Sequence, residues 1–157
     1  MTSVKPVIGY LHERCLITDE LKDRLKEIGD LRFVEPTVEG LAEIDILCSF
    51  AGFDLNRDLL IATPRLLATI DLGTAIHTDV SAATELGILV FHAPGANAQA
   101  VAEHTIGLTL ALANGIVPSD RRMRSGQFRL ADRRTWGVQL SERVLGLVGF
   151  GNVARRV

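Results

Sequence analysis

Short apolar runs alternate with helix-like stretches along most of the 157-residue chain. The apolar runs at residues 7–11, 31–34, 44–50, 66–72 and 88–92 are typical of strands. One helix is expected to begin at the N-cap Thr18 and to end at Gly29, and another to begin at the N-cap Asp79 and to end at Gly87. A short helix is expected between them, over residues 56–61. This alternation predicts an α/β domain built on a parallel sheet.

The pattern changes after a loop at residues 94–97. The longest helical stretch is expected from about residue 98 to residue 116, and Pro118 is expected to close it. It is apolar on more than one face, which favours burial or packing on a second copy of the chain. Residues 121–140 are polar and irregular, and residues 144–148 are predicted to form a strand that runs into Gly149. We therefore expect one domain over residues 1–95 and the beginning of a second over residues 96–157.

A Gly-x-Gly-x-x-Ala turn follows the last predicted strand, with Gly149, Gly151 and Ala154 at its fixed positions. In a dinucleotide-binding turn the first glycine allows a tight bend, the second lets the backbone approach a pyrophosphate, and the small third residue lets the helix pack closely. The N-terminus of the following helix would offer free N–H groups to the phosphates. A simple glycine turn is the alternative. The acidic residue that binds the ribose is expected about 20 residues further on, past residue 157.

Composition excludes some classes of protein and leaves one question open. The chain is 47% hydrophobic and 23% charged, which is ordinary for a globular protein and unlike a disordered one. Residues 1–117 carry 8 basic and 16 acidic residues, whereas residues 118–157 carry 9 arginines and 3 acids. The basic segment is either a nucleic-acid tail or, as we prefer, a connector that faces another domain or a partner subunit, because few aromatic residues accompany its arginines.

Other sequence features concern location. Cys15 and Cys48 are far apart and lack CxxC spacing, so reduced thiols in the cytoplasm are expected, with neither a zinc site nor a disulfide framework. The apolar segment at residues 106–117 is too short for a membrane helix and contains Asn114. No membrane association is expected.

A second segment, residues 84–105, carries a helix end at Gly87, a strand, a Pro-x-x-Asn-Ala loop at Pro94 and the run Val101-Ala102-Glu103-His104 at the start of a long helix. The motifs of this segment and of residues 145–154, in this order and spacing, resemble those of the D-2-hydroxyacid dehydrogenase family. That family includes phosphoglycerate, formate and phosphite dehydrogenases and the corepressors called C-terminal-binding proteins. The resemblance implies a flavodoxin-like substrate domain, followed here by the truncated start of a Rossmann dinucleotide-binding domain.

The resemblance also implies roles for particular residues. Asn97 would lie near the substrate, and Thr74 and Ala75 fall in the loop that holds the substrate carboxylate. A loop Asn that hydrogen-bonds its own backbone is the alternative for Asn97. NAD or NADP is the implied cofactor, and the residues assigned to it are Ala98, Val101, Gly149, Gly151, Asn152, Val153 and Ala154.

Two departures from the family pattern stand out. Where the family usually has a glycine-rich loop that holds the substrate carboxylate, residues 71–79 keep one glycine, Gly73. Asp71 beside this loop would repel a carboxylate unless its side chain points away. The family's catalytic Arg, Glu and His would come after residue 157, so we assign no catalytic residue and expect no turnover from this chain. We do not expect His104 with Glu103 to act as an acid/base pair, since adjacent helical residues face different directions, nor His77 with Asp79.

These features lead to two main hypotheses. The first is the N-terminal part of an NAD(P)-dependent oxidoreductase that acts on the CH–OH group of a small 2-hydroxy acid. The second is a non-catalytic binding protein, either corepressor-like or a truncated paralogue. In both cases we expect a homodimer formed through the helix that begins at Ala98.

Overall fold

The computed structural model describes residues 5–11, 17–49, 53–127 and 137–157. The chain divides into two compact units, Met1–Ala96 and Asn97–Val157. Cys15 and the segment with Phe128, Arg129, Arg133, Arg134 and Trp136 lie outside the described residues.

The first unit is a five-stranded parallel sheet with connecting helices. Its strands are ordered β2-β1-β3-β4-β5, which is the flavodoxin-like order of doubly wound α/β domains. The prediction of an α/β fold with a parallel sheet is therefore confirmed. In chain order the elements are β1 (Val7–Leu11), α1 (Asp19–Ile28), β2 (Asp30–Val34), α2 (Val38–Leu41), β3 (Ile46–Ser49), α3 (Arg57–Ile61), β4 (Ala68–Asp71), α4 (Val80–Leu86) and β5 (Leu89–His92).

Side-chain caps fix where several of these helices begin. The hydroxyl of Thr18 accepts a hydrogen bond from the N–H of Leu21 at 3.3 Å, and the carboxylate of Asp79 accepts one from Ala82 at 2.9 Å. Both caps were predicted, because Thr and Asp satisfy the free N–H groups of a first turn. The sequence pattern missed α2, since four residues are too few to show a helical period.

Two apolar clusters cover the two faces of the sheet. The larger joins β3 to α2, α3 and α4, and its fully buried members include Leu41, Leu47 and Leu60. The smaller is centred on Ile8, Tyr10 and Cys48, with Leu25 of α1 packed against it. The central strands β1, β3 and β4 are therefore covered on both faces and are mainly apolar, as is usual in parallel sheets. Leu89 and Phe91 of the edge strand β5 are more than half exposed.

The second unit begins with two helices, α5 (Ala98–Ala113) and α6 (Ile116–Arg124). The predicted end near residue 116 is wrong, since the first helix ends at Ala113 and a second begins after Gly115, whose φ is +58°. Pro118 does not close a helix but lies in the first turn of α6. A first-turn N–H has no intrahelical acceptor, so proline costs nothing there.

The predicted strand at residues 144–148 is not formed in the described part of the chain. Val144 and Val148 are almost fully exposed. Strands are stabilised by hydrogen bonds to a neighbouring strand, and the five described strands pair only with one another. The apolar sequence of this segment therefore has no sheet to join.

Helix length bears on the question of membrane association. Within the described ranges, no helix is long and apolar enough to cross a membrane by itself. The pair α5 and α6 reaches that length and composition only when the two are counted together, and they are bent by 61° at their junction.

Candidate functional site

Three strands of the first unit end in polar residues at the same edge of the sheet. Ser49 ends β3, Asp71 ends β4 and His92 ends β5, and they are consecutive partners in the parallel register. In doubly wound sheets, ligands bind outside the carboxyl ends of the strands. The loop that follows Asp71, residues 72–79, lies at this edge and is called the β4–α4 loop below.

The carboxylate of Asp71 faces into the protein. Its residue is only 2% exposed. One carboxylate oxygen accepts a hydrogen bond from the Ser49 hydroxyl at 3.0 Å, and the other accepts one from the backbone N–H of His77 at 3.1 Å. The side chain thus points away from the solvent side of the loop, so the repulsion expected against a substrate carboxylate has no exposed source at Asp71.

The predicted substrate residues Thr74 and Ala75 are both exposed in the middle of the β4–α4 loop. The carbonyl of Gly73 accepts a hydrogen bond from the N–H of Ala93 at 2.9 Å, and Nδ1 of His92 lies 3.3 Å from the carbonyl oxygen of Thr74. Among the described non-glycine residues only Glu142 has a positive φ. Alanine in place of glycine at position 75 therefore strains no backbone.

The described structure forms neither of the two acid/base pairs considered from the sequence, His104 with Glu103 and His77 with Asp79. Nδ1 of His77 lies 3.4 Å from a carboxylate oxygen of Asp54, and Asp79 is used as the cap of α4. His104 is exposed on α5, while the carboxylate of Glu103 accepts a hydrogen bond from Gln99 at 2.8 Å.

The start of α5 carries the other residues assigned to substrate and nicotinamide. Asn97 precedes the helix, and its side chain makes no cap hydrogen bond. A helix cap is one form of the alternative in which this Asn hydrogen-bonds its own backbone, and that form is not observed. Ala98 is fully buried and Val101 is 39% exposed.

The glycine-rich turn has the bend expected at its first glycine, but the predicted strand before it is not formed and only turns, with no helix, follow it. Gly149 has a φ of +90°, which L side chains rarely adopt, and a Cβ placed on Gly151 would meet no atom within 4 Å. The carbonyl of Gly151 accepts a hydrogen bond from Arg155, so the chain begins to coil there. Arg155 also donates to the side-chain oxygen of Asn152 at 3.2 Å. Val153 and Ala154 are half-buried.

Other candidate sites find less support among the described residues. No group of three or more metal-binding side chains is found in the ranges that the structure covers. In the basic segment, Arg124 pairs with Asp120 one turn earlier at 2.9 Å. An apolar groove of about 200 Å³ in the second unit is lined by side chains of α5 and of residues 140–145, none of them predicted site residues.

Comparison with known proteins decides the family. Residues 12–152 match the family model described as D-isomer specific 2-hydroxyacid dehydrogenase, catalytic domain. The chain belongs to this family. The resemblance inferred from the motifs is confirmed.

Relatives within the dehydrogenase family are similar along nearly the whole chain. D-3-phosphoglycerate dehydrogenase of Methanocaldococcus jannaschii is 31% identical over 92% of this chain, and glyoxylate reductase of Thermofilum pendens is 32% identical over 95%. The chain spans only 29% and 43% of the lengths of these two relatives.

Two solved structures share the fold of this chain. D-lactate dehydrogenase of Aquifex aeolicus, solved with NAD and lactic acid, gives a TM-score of 0.80 at 23% identity over 96% of this chain and 46% of its own. An acyclic imino acid reductase solved with NADPH and D-Arg gives 0.84 at 22% identity over 96% of this chain and 50% of its own.

Sequence reasoning missed two parts of the site. It did not single out Ser49, which holds one oxygen of Asp71, or the backbone N–H of His77, which holds the other. A polar residue at the end of an apolar strand, next to another such strand end, is the signal that could have indicated Ser49. The backbone contact has no signal in the sequence.

Proposed function

We propose that this chain contributes to an NAD(P)-dependent oxidoreductase that acts on the CH–OH group of a small 2-hydroxy acid. Family membership over residues 12–152 carries this proposal. The relatives include a D-3-phosphoglycerate dehydrogenase and a glyoxylate reductase, whose named substrates are small acids. The inward direction of Asp71 supports it as well, because the exposed loop at Thr74 and Ala75 is then free to meet a carboxylate.

In this proposal the two units correspond to two domains. Residues 1–95 form the flavodoxin-like substrate domain, and residues 96–157 form the beginning of the dinucleotide-binding domain. Thr74 and Ala75 would contact the substrate carboxylate from the first unit. From the second unit Asn97 would contact the substrate, while Ala98 and Val101 would approach the nicotinamide.

The geometry of the glycine turn fits a pyrophosphate. The positive φ of Gly149 bends the chain, and the open space over Gly151 leaves room for a phosphate against its backbone. With Asn152, Val153 and Ala154, these glycines would hold NAD or NADP, which supplies or accepts a hydride when bound. Solved neighbours with NAD and with NADPH support this cofactor class.

Binding experiments with the 157-residue protein test the proposal. Fluorescence titration with NADH and with NADPH should show saturable binding. Titration with buffer that contains no nucleotide should show only dilution. The absence of binding for both nucleotides would contradict the cofactor assignment. Titration with oxalate, a stable dicarboxylate probe, should shift the backbone amide resonances of Thr74 and Ala75.

A second candidate function is a dimeric binding protein, and the surface of α5 favours it. Val101, Leu108 and Leu112 recur at helical spacing on one side of α5, and they are 39%, 53% and 83% exposed. Burying an apolar side chain of this size is worth about 1.5–3 kcal/mol. We therefore propose a homodimer formed through α5. We also propose that the protein is located in the cytoplasm, where Cys48 would stay a free thiol.

Light scattering after size-exclusion chromatography tests the dimer. The protein should elute as a dimer, and the double variant Leu108→Ser with Leu112→Ser should elute as a monomer. Leu86→Ser, which changes a 44% exposed leucine of α4 in the first unit, is the matched control and should remain dimeric. A monomeric parent protein would refute the proposed interface. A dimer that binds neither nucleotide would favour the non-catalytic function.

A further inference from the structure

Buried polar side chains of the described residues concentrate at one place. Five such residues are buried, and four of them, Ser49, Thr69, Asp71 and Thr78, belong to the ends of β3 and β4 or to the β4–α4 loop. The hydroxyls of Thr69 and Thr78 lie 3.1 Å apart, and Ser49 donates to Asp71 at 3.0 Å. None of the described buried side-chain polar atoms lacks a hydrogen-bond partner.

The carboxylate of Asp71 is costly to bury. In the part of the chain that the structure describes, no lysine, arginine or histidine side chain forms an ion pair with it. Among the described residues, its hydrogen-bond donors are the hydroxyl of Ser49 and the N–H of His77. Well-packed apolar residues usually stabilise such a position at least as well. Stability alone therefore does not account for an acid here.

These contacts hold the β4–α4 loop at both ends. At the far end, the N–H of His77 is bound by Asp71, and its carbonyl accepts a hydrogen bond from the N–H of Leu55 at 2.9 Å. At the near end, the N–H of Leu72 donates to the carbonyl of Ser49 at 2.9 Å. Ser49 thus contacts the loop at its beginning through its carbonyl and, through Asp71, at its far end.

We propose that Asp71, oriented by Ser49, is a positioning residue that fixes the conformation of the β4–α4 loop from beneath. The inference rests on the proposed function in assigning that loop to the substrate carboxylate. Asp71 itself does not contact the substrate. It holds the N–H of His77 inside, so that the exposed stretch with Thr74 and Ala75 keeps one shape without the glycines that would otherwise let it adapt.

Two variants test this role, each with a matched control. Asp71→Asn removes the charge and one of the two acceptor oxygens, and Ser49→Ala removes the hydroxyl with little loss of volume. Asp23→Asn on α1 and Ser81→Ala on α4 make the same chemical changes at exposed positions. Ser49→Ala keeps the test decisive should Asp71→Asn fail to fold.

The first measurement is amide hydrogen exchange followed by NMR. Asp71→Asn leaves one acceptor oxygen for two donors, and Ser49→Ala removes the hydroxyl that orients the carboxylate. In both variants the hydrogen bond to the N–H of His77 should therefore weaken, and exchange at that N–H should accelerate by about tenfold or more. The amide of Leu47 in the core should change much less, and both controls should match the parent protein. Equal acceleration at His77 and Leu47 would mean general destabilisation and would overturn the proposal.

The second measurement is the affinity for oxalate, from the shifts of the Thr74 and Ala75 amides. The test variants should bind oxalate several-fold more weakly, and the controls should bind it as the parent does. If the parent binds oxalate and the test variants bind it equally well, the positioning role is wrong. If the parent does not bind oxalate, the proposed substrate site fails, and hydrogen exchange still decides whether Asp71 positions the loop.

Discussion

Gly149 offers the sharpest test of the cofactor site, because a substitution there strains the backbone without causing a steric clash. Its φ of +90° is unfavourable for any L side chain, while a Cβ there would meet no atom within 4 Å. The variant Gly149→Ala therefore adds backbone strain without a steric clash. An L residue in left-handed backbone costs about 1–2 kcal/mol. Since 1.4 kcal/mol is tenfold in an equilibrium, the turn should be populated roughly 5- to 30-fold less.

The assay is NADH binding followed by fluorescence, together with thermal unfolding. Gly149→Ala should weaken NADH binding by that factor, and the melting temperature should stay close to that of the parent because Gly149 is exposed and touches little. Gly146→Ala is the matched control: its Cβ also meets open space, and its φ lies outside the left-handed range. It should bind NADH normally.

Gly151→Ala tests steric crowding of the cofactor separately from the backbone strain tested by Gly149→Ala. Its added methyl enters open space, where the pyrophosphate is proposed to lie, so the free protein should be unaffected while NADH binding is lost. Unchanged NADH affinity in both Gly149→Ala and Gly151→Ala would refute the reasoning, since the turn would then have no part in binding.

Two further predictions concern the first unit. Asp45 accepts a hydrogen bond from the N–H of Val7 at 2.8 Å and pairs with Arg65 at 2.9 Å, and these contacts, the first foremost, lower the pKa of its carboxyl. A lowered pKa stabilises the fold above the unfolded value of about 3.9 and ceases to do so as the pH falls through the folded value. Asp45→Asn should therefore lower the free energy of unfolding by about 1–3 kcal/mol near neutral pH. Urea unfolding should show the difference in this free energy between variant and parent shrinking as the pH falls. A difference that stays constant with pH would contradict this. Burial raises the pKa of the Cys48 thiol to about 11. At about pH 8 only ~0.1% of it is thiolate, so iodoacetamide should label Cys48 in the unfolded protein and hardly at all in the folded one; peptide mass mapping measures this, and rapid labelling of the folded protein would show the site to be open.

The sequence predicted the first unit well because local and long-range signals agree there. Thr18 and Asp79 are found as caps, and the apolar runs become strands because five of them are present to pair with one another. The run at residues 144–148 is just as apolar but has no such partner among the described strands. A strand is a property of a sheet, so its sequence pattern alone does not determine whether it forms.

Finer geometry escaped prediction for reasons that differ from residue to residue. Pro118 was expected to end a helix, but its effect depends on which turn it occupies, and that depends on the break at Gly115. The direction of Asp71 depends on the hydroxyl of Ser49, 22 residues earlier in the chain, and on a backbone group. The candidate substrate loop could thus be located from sequence, whereas the contacts that fix its shape could not.

The order of the strands also bears on how the protein is made. β1 precedes the other four described strands in the chain and leaves the ribosome before them, yet it lies inside the sheet, where Ile8 pairs with Leu31 on one side and Ile46 on the other. The backbone N–H and C=O groups along the two edges of β1 therefore stay unpaired until β2 and β3 have been made. Pairings between distant segments form slowly, and unpaired strand edges invite association with other chains. The nascent protein is accordingly most vulnerable to aggregation while residues 30–49 are still being synthesised.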